Sequence, residues 1–421
     1  MVRSVQGDSV PHGWKYDYLD SFTVRGSGHT PNKEKPEYWN GGVKWVSLSD
    51  SFNLDKGLIS ETDKEISDEG IKNSSAVIHT AGTVILSRDA GIGKSAVLAS
   101  PMAVSQHFIA WRCDNSSKMN SWFLYNWLQV MKPEFERQAV GSTIKTIGLP
   151  YFKKLKIATP PYSEQENIAK ILQLWDQAIT ISSQLLNNSK QHKNSLIQKL
   201  ATGRMRLPSF QTGWRTVSLD SIISRVTSKN KEINTNVLTI SAQHGLIRQD
   251  DFFNKTVASE TLDNYFLLHI GQFAYNKSYS NGYPMGAIKR LNKYEKGVVT
   301  TLYICFEIKD PTSSDPEFFE HYFEAGLLNR GLSKVANEGG RAHGLLNVKP
   351  SDFFGLTVYV PEIAEQRAIA QVLTAADKEI QALQAKISCL KQEKKALMQQ
   401  LLTGKRRVKV DAVEACANEQ H

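Results

Sequence analysis

The chain has 421 residues, too many for one ordinary core, and its 41% hydrophobic and 9% aromatic content is that of folded domains, two or three by length. It has no run of about 18 apolar residues and no apolar signal-like start, so neither a membrane span nor secretion is expected and the cytoplasm is. Cys113, Cys305, Cys389 and Cys416 form no C-x-x-C pair, which excludes a zinc knuckle or a disulfide framework, and the net charge of +9 favours a polyanionic partner.

That positive excess is spread thinly, so phosphate neutralisation would be shared with another subunit. Residues 1–12 read as a loose tail. Gly13-Trp14 opens a segment in which Gly26-Ser27-Gly28-His29-Thr30-Pro31 and Asn40-Gly41-Gly42 bracket the pair Tyr38-Trp39. Val43–Leu48, Val77–His79, Thr83–Leu86 and Phe108–Arg112 read as short strands, and Ser121–Met131 as a buried helix.

A second segment opens at Gly213-Trp214, with Leu219-Asp220 answering Leu19-Asp20. Here Val237–Ile240, Gln272–Asn276 and Val298–Ile308 read as strands, and Glu317–Gly331 as a helix. The segment endings also correspond, Phe152, Leu155 and Ile157 recurring as Phe353, Leu356 and Val358. Two similar scaffolds with dissimilar polar residues imply two sites that read different things.

Each segment runs into one copy of a true repeat. Pro160–Arg206 and Pro361–Arg407 align without a gap and agree at 17 of 47 positions, among them Glu164-Gln165 with Glu365-Gln366, Asp176 with Asp377, and Thr202-Gly203 with Thr403-Gly404. Ile168, Ile171, Trp175, Ile179, Ser182, Leu186, Ser189, Lys193, Leu196 and Leu200 recur every three or four residues, a single seam on one helix. Ile369, Val372, Ala376, Ile380, Leu383, Ile387, Leu390, Lys394, Leu397 and Leu401 do the same on the other. Each helix opens at proline and stops at Thr-Gly, where glycine fits a left-handed cap.

Roughly 37 residues make each helix about 55 Å long. A narrow seam needs one partner and the chain supplies two, so antiparallel pairing inside one molecule is the simplest closure. Pairing between two copies through the same seams is the alternative.

Tandem variable segments separated by two proline, E-Q, I-A, long-helix and T-G-[KR] modules resemble the specificity subunit of a Type I restriction–modification system. Gly26–Pro31 and Pro36–Gly42 (PEYWNGG) are similar to the opening of that family's target recognition domains, and Gly141–Thr146 (GSTIKT) to the end of the first. The second domain lacks the Y-W-N-G-G opening.

The resemblance implies an α+β protein with a pseudo-two-fold internal repeat: target recognition domains at 13–160 and 207–360, separated by helices at 161–206 and 361–407 that pair as an antiparallel coiled coil, and a tail at 408–421. It implies binding of double-stranded DNA, each domain reading half of a bipartite asymmetric site, with the helices setting the spacing and docking two methyltransferase subunits. Restriction subunits complete the complex. No catalysis and no cofactor are expected on this chain; S-adenosylmethionine, ATP and Mg would sit on the partners. A non-DNA scaffold bridging two proteins is the other functional reading.

Base readout needs donors and acceptors on loops held by a rigid body. Arg88, Lys94 and Lys145 in the first segment, and Lys277, Asn281, Arg290, Arg341 and His343 in the second, are the candidates.

Three motifs point elsewhere and fall short. Gly91-Ile92-Gly93-Lys94-Ser95 resembles the end of a phosphate-binding loop, but Arg88 stands where that loop needs glycine. Thr159-Pro160-Pro161-Tyr162 resembles an amino-methyltransferase loop, yet threonine replaces the required amide or acid, so a helix-opening turn is expected. Glu61, Asp63, Glu65, Asp68 and Glu69 are read as a solvated acidic face.

Overall fold

The computed structural model describes residues 10–114, 118–141, 145–252, 261–338 and 346–408. Two compact units emerge: residues 1–182 with 386–421, and residues 183–385. The division falls inside both long helices, Tyr162–Leu200 and Ile363–Leu401, each of 39 residues. Among the described residues no helix is long and apolar enough to cross a membrane.

In the first unit Lys15–Tyr18 pairs with Lys156–Thr159, and apolar runs too short for helices pair into two larger sheets. One orders its strands Val24–Ser27, Phe108–Arg112, Val84–Ser87, Ser95–Leu98 and Leu58–Ile59; the other orders Lys64–Ile66, Trp39–Val46, Met102–Val104 and Ile78–His79. The helix Ser121–Gln138, capped by the Asn120 side chain, lays Phe123, Leu124, Leu128 and Phe135 on the first sheet. The Tyr38–Gly42 stretch is a bulge: the register of Trp39–Val46 shifts between Trp39 and Val43, Gly42 takes φ +87°, and Trp39 meets Trp45 edge-on at 5.1 Å.

In the second unit the central sheet orders Ile223–Arg225, Ile304–Ile308, Phe273–Asn276 and Ala287–Arg290, with the helix Pro316–Glu324 against it. Two expected elements divide. Val298–Ile308 becomes Lys296–Val299 and Ile304–Ile308, separated by a turn in which Tyr303 N–H donates to Thr300 C=O. Glu317–Gly331 becomes Pro316–Glu324 and Asn329–Val335, because Gly326 adopts φ +67° and ends the first helix.

Every expected seam residue on both helices is buried or half-buried, whereas Leu174, Ile181 and Leu185 between them are 64%, 56% and 49% exposed. Within each unit the helical segments run antiparallel. Lys394 Nζ lies 2.6 Å from Asp176 in the first unit. Lys193 Nζ lies 2.5 Å from Asp377 in the second, where Ser189 also donates to Glu379 at 2.9 Å. The two lysine–aspartate pairs are repeat-equivalent, and a polar pair in a seam fixes register at some cost in stability.

A second apolar stripe, outside the seam, ties the helix ends into the cores. Leu172, Met398 and Leu402 pack with Leu19, Val84 and Phe152 in the first unit; Ile197, Ala370 and Leu373 pack with Leu219, Phe306 and Phe353 in the second. The ends of both long helices therefore belong to the cores of the units. Burying each such leucine contributes about 1.5–3 kcal/mol.

The repeated polar residues build one clamp per unit. Glu365 is fully buried and accepts Arg206 Nε at 2.6 Å, Arg206 Nη2 at 2.7 Å and Trp214 Nε1 at 3.1 Å. Glu164 accepts Arg407 Nε and Nη2, both at 2.8 Å, and Arg407 Nη1 donates to the His12 carbonyl. Gln366 accepts the backbone N–H of Asp315 and donates to Pro361 C=O; Gln165 does the same with Asn120 and Pro160. The E-Q dipeptide thus joins its helix to a terminal arginine and to the cap of a domain helix. Gly203 and Gly404 take φ +70° and +68°, and a Cβ on either would press on a tryptophan ring, Trp214 or Trp14.

Candidate nucleic-acid interface

Sheet register brings four loops of the first unit together. His29 N–H donates to Val104 C=O, and a Cβ on Gly28 would fall 1.9 Å from that oxygen, so only glycine lets the Gly28–Thr30 loop lie against the Ser105–Phe108 turn. Thr30 Oγ1 then donates to Gln106 Oε1. His107 Nδ1 lies 2.5 Å from Asp89 Oδ2, and the Thr146 hydroxyl donates to the other Asp89 oxygen. Ile147 N–H donates to Arg88 C=O and Arg88 N–H to His107 C=O, both at 2.9 Å.

Beside this edge a cleft of about 540 Å³ is lined by Asp89, Gly91, Ile92, Lys94, Lys132, Glu136 and Lys145. Lys145 is exposed there. Lys94 donates to Ser51 C=O at 3.1 Å, and Lys132 pairs with Asp55 at 2.7 Å. Burial of Asp55 works to raise its carboxyl, but bonds from Gln129, Lys132 and Ser95 N–H outweigh it and leave the group below its ordinary value. Arg88 is largely enclosed, its Nε buried and 3.8 Å from Asp89. Gly91 and Gly93, at φ +82° and +79°, form the turn of the hairpin Val84–Ser87 to Ser95–Leu98. A phosphate-binding loop joins a strand to a helix, so this glycine pattern belongs to a different structure.

In the second unit Lys277 and Asn281 lie on the loop joining Phe273–Asn276 to Ala287–Arg290. Asn281 is exposed, and Lys277 C=O accepts Leu346 N–H at 3.0 Å. Tyr283 anchors the loop: it donates to Glu324 and accepts from Lys289 Nζ at 2.9 Å, and burial followed by the Glu324 charge pushes its hydroxyl pKa up. Arg290 is turned inward, with Nε 3.2 Å from Gly271 C=O, Nη1 3.4 Å from Glu320 and the guanidinium over Phe273. Arg341 and His343 lie outside the described residues.

The six candidates among the described residues divide by environment. Lys145 and Asn281 are exposed, Lys94 and Lys277 half-buried, and Arg88 and Arg290 committed to their own domains. Sequence reasoning passed over Gln106, His107 and Asp89 and named Thr30 only within the Gly26–Pro31 motif; the polar break Ser105-Gln106-His107 between two apolar runs is a signal for the first two. The acidic stretch is a strand edge and a capped short helix, with Glu61 paired to Lys44. Among the described residues no His, Cys, Asp and Glu group could hold a metal ion. Thr159–Tyr162 is the opening turn of its helix, with the Pro161 carbonyl accepting from Glu164 and Gln165.

A family model described as the Type I restriction modification DNA specificity domain matches residues 11–191. The specificity subunit of Type I restriction enzyme MjaVIII from Methanocaldococcus jannaschii is 23% identical over 97% of this chain and 96% of its own length. The MjaIX specificity subunit of the same organism is 24% identical over 193 residues, so the chain spans 43% of that protein and matches with 46% of its own length. The crystal structure of the Type I restriction–modification S subunit from M. genitalium superposes with a TM-score of 0.55 at 14% identity, covering 95% of this chain and 98% of that one. The chain is thus similar to the specificity subunits of Type I restriction–modification systems, in sequence over residues 11–191 and in fold over nearly its whole length.

Proposed function

We propose that this protein is the DNA sequence-recognition subunit of a Type I restriction–modification complex, without catalysis of its own. The match of residues 11–191 to a DNA specificity domain carries the reading, and the recurrence of the same clamp in both units extends it to the second half of the chain. Each domain reads one half of a bipartite site. The two helices set the gap and present the surfaces on which two methyltransferase subunits dock, and restriction subunits join in the full complex. S-adenosylmethionine, ATP and Mg act on those partners, in the cytoplasm with the DNA. Among the described residues, Lys145 and Asn281 are the most accessible of the proposed DNA contacts.

The test exchanges residues 15–150 for the corresponding segment of a relative and maps the methylated sequence of host DNA. One half of the bipartite sequence changes and the other stays. A change in both halves, or in neither, overturns the proposal. Duplex binding by the assembled complex also weakens steeply with salt.

A further inference from the structure

We propose that Gln106 reads an adenine in the half-site of the first domain, with Thr30 as its positioning residue; this rests on the DNA-recognition function proposed above. Gln106 is exposed, yet Ser105 before it is 1% exposed and Phe108 after it fully buried. A tight turn holds it, with Phe108 N–H donating to Ser105 C=O at 3.1 Å. Both sides of that turn are tied to the body of the unit: Ser105 N–H donates to Val46 C=O at 2.8 Å, and His107 C=O accepts Arg88 N–H at 2.9 Å. A side chain mounted this way keeps its aim without ordering a loop when it binds.

The chemistry is equally specific. Thr30 donates to Gln106 Oε1, which restrains the amide at this edge. The oxygen keeps a second lone pair and the NH₂ keeps two donors, the set that pairs with adenine N6–H and N7 in the major groove. His107 Nδ1 donates to Asp89, which Thr146 holds from the other side, so the ring beside Gln106 is also fixed. Asp89 in turn lines the cleft that carries the exposed Lys145, placing a cation for phosphate next to a base-reading amide. Arg88 is largely enclosed and Lys94 tied to Ser51, which leaves Gln106 as an exposed amide presented at this edge.

The test uses the full chain assembled with its methyltransferase subunits and maps the methylated sequence for the parent, Gln106→Ala, Gln106→Glu and Thr30→Val. Gln106→Ala loses roughly 10- to 100-fold discrimination at one A·T pair in one half-site and none elsewhere. Gln106→Glu moves preference at that pair toward cytosine, whose N4 amino group a carboxylate accepts. Thr30→Val loosens the same pair by less. Unchanged preference at every pair, or affinity lost equally for all sequences, overturns the assignment. A parent assembly with no sequence preference at all overturns the recognition reading first, and the assignment with it.

Discussion

His321 lies 7% exposed in the second unit, with Nε2 3.1 Å from Thr374 Oγ1 and Nδ1 3.8 Å from Asp377. Burial first, and the Lys193 charge second, hold its pKa down at about 4, against an ordinary value of 6.5. The unfolded chain therefore binds the extra proton between these values, and stability rises with pH across that window. It is fully present above pH 6.5 and is lost as pH falls toward 4, by up to about 3 kcal/mol. Urea unfolding followed at pH 7 and pH 4.5 measures this loss. The same position in the domain helix of the first unit, six residues past its cap, is Asn126. His321→Asn accordingly flattens the acid limb, and a limb that persists in the variant assigns it to other groups.

Two elements carry predictions of their own. At Gly404 an added Cβ meets Pro11 Cγ at 2.3 Å, whereas at Gly203 the nearest atoms are Trp214 ring carbons at 3.3 Å, and both backbones are left-handed. Gly404→Ala then destabilises by about 2 kcal/mol and Gly203→Ala by about 1 kcal/mol, read from thermal melts of the two variants. In the helix pair, Lys193→Glu faces Asp377 with a like charge and lowers Tm, while the swap Lys193→Glu with Asp377→Lys recovers most of the loss. Recovery measures the pair itself; its absence places the effect of Lys193 elsewhere. These helices were legible in the sequence because a 3.6-residue period is local information, and so were the left-handed stops at Gly203 and Gly404. The division of Val298–Ile308 was not legible, since β-branched residues such as Thr300 and Thr301 suit a turn's flank as well as a strand. The edge around Gln106 was illegible for a stronger reason. Thr30 and Gln106 are 76 residues apart, and their meeting depends on sheet register.

At the scale of the whole molecule, the proposed spacing role makes helix length a functional quantity. Removing about one turn from the middle of both long helices should shorten the gap between half-sites while leaving each half-sequence unchanged, as methylation mapping would read it. An unchanged gap reduces the helices to linkers. The recognition of two tandem units was legible because the repeat is gapless, whereas the share each helix end takes in the cores was not. Leu172 and Leu373 sit beside the seam, outside the single stripe that a coiled coil requires.

The first unit is closed by the far end of the chain. Met398, Leu401 and Leu402 complete its core and Arg407 neutralises Glu164, 243 residues upstream. The second unit is contiguous, residues 183–385. On a ribosome the order of synthesis and the order of completion therefore run opposite ways: the half made first must wait, with part of its apolar surface uncovered, until residues 398–407 have emerged. A chain ending at residue 385 and released from the ribosome should resist protease over the second unit and be cut in the first. Protection of both at that length would show that the closing segment is dispensable.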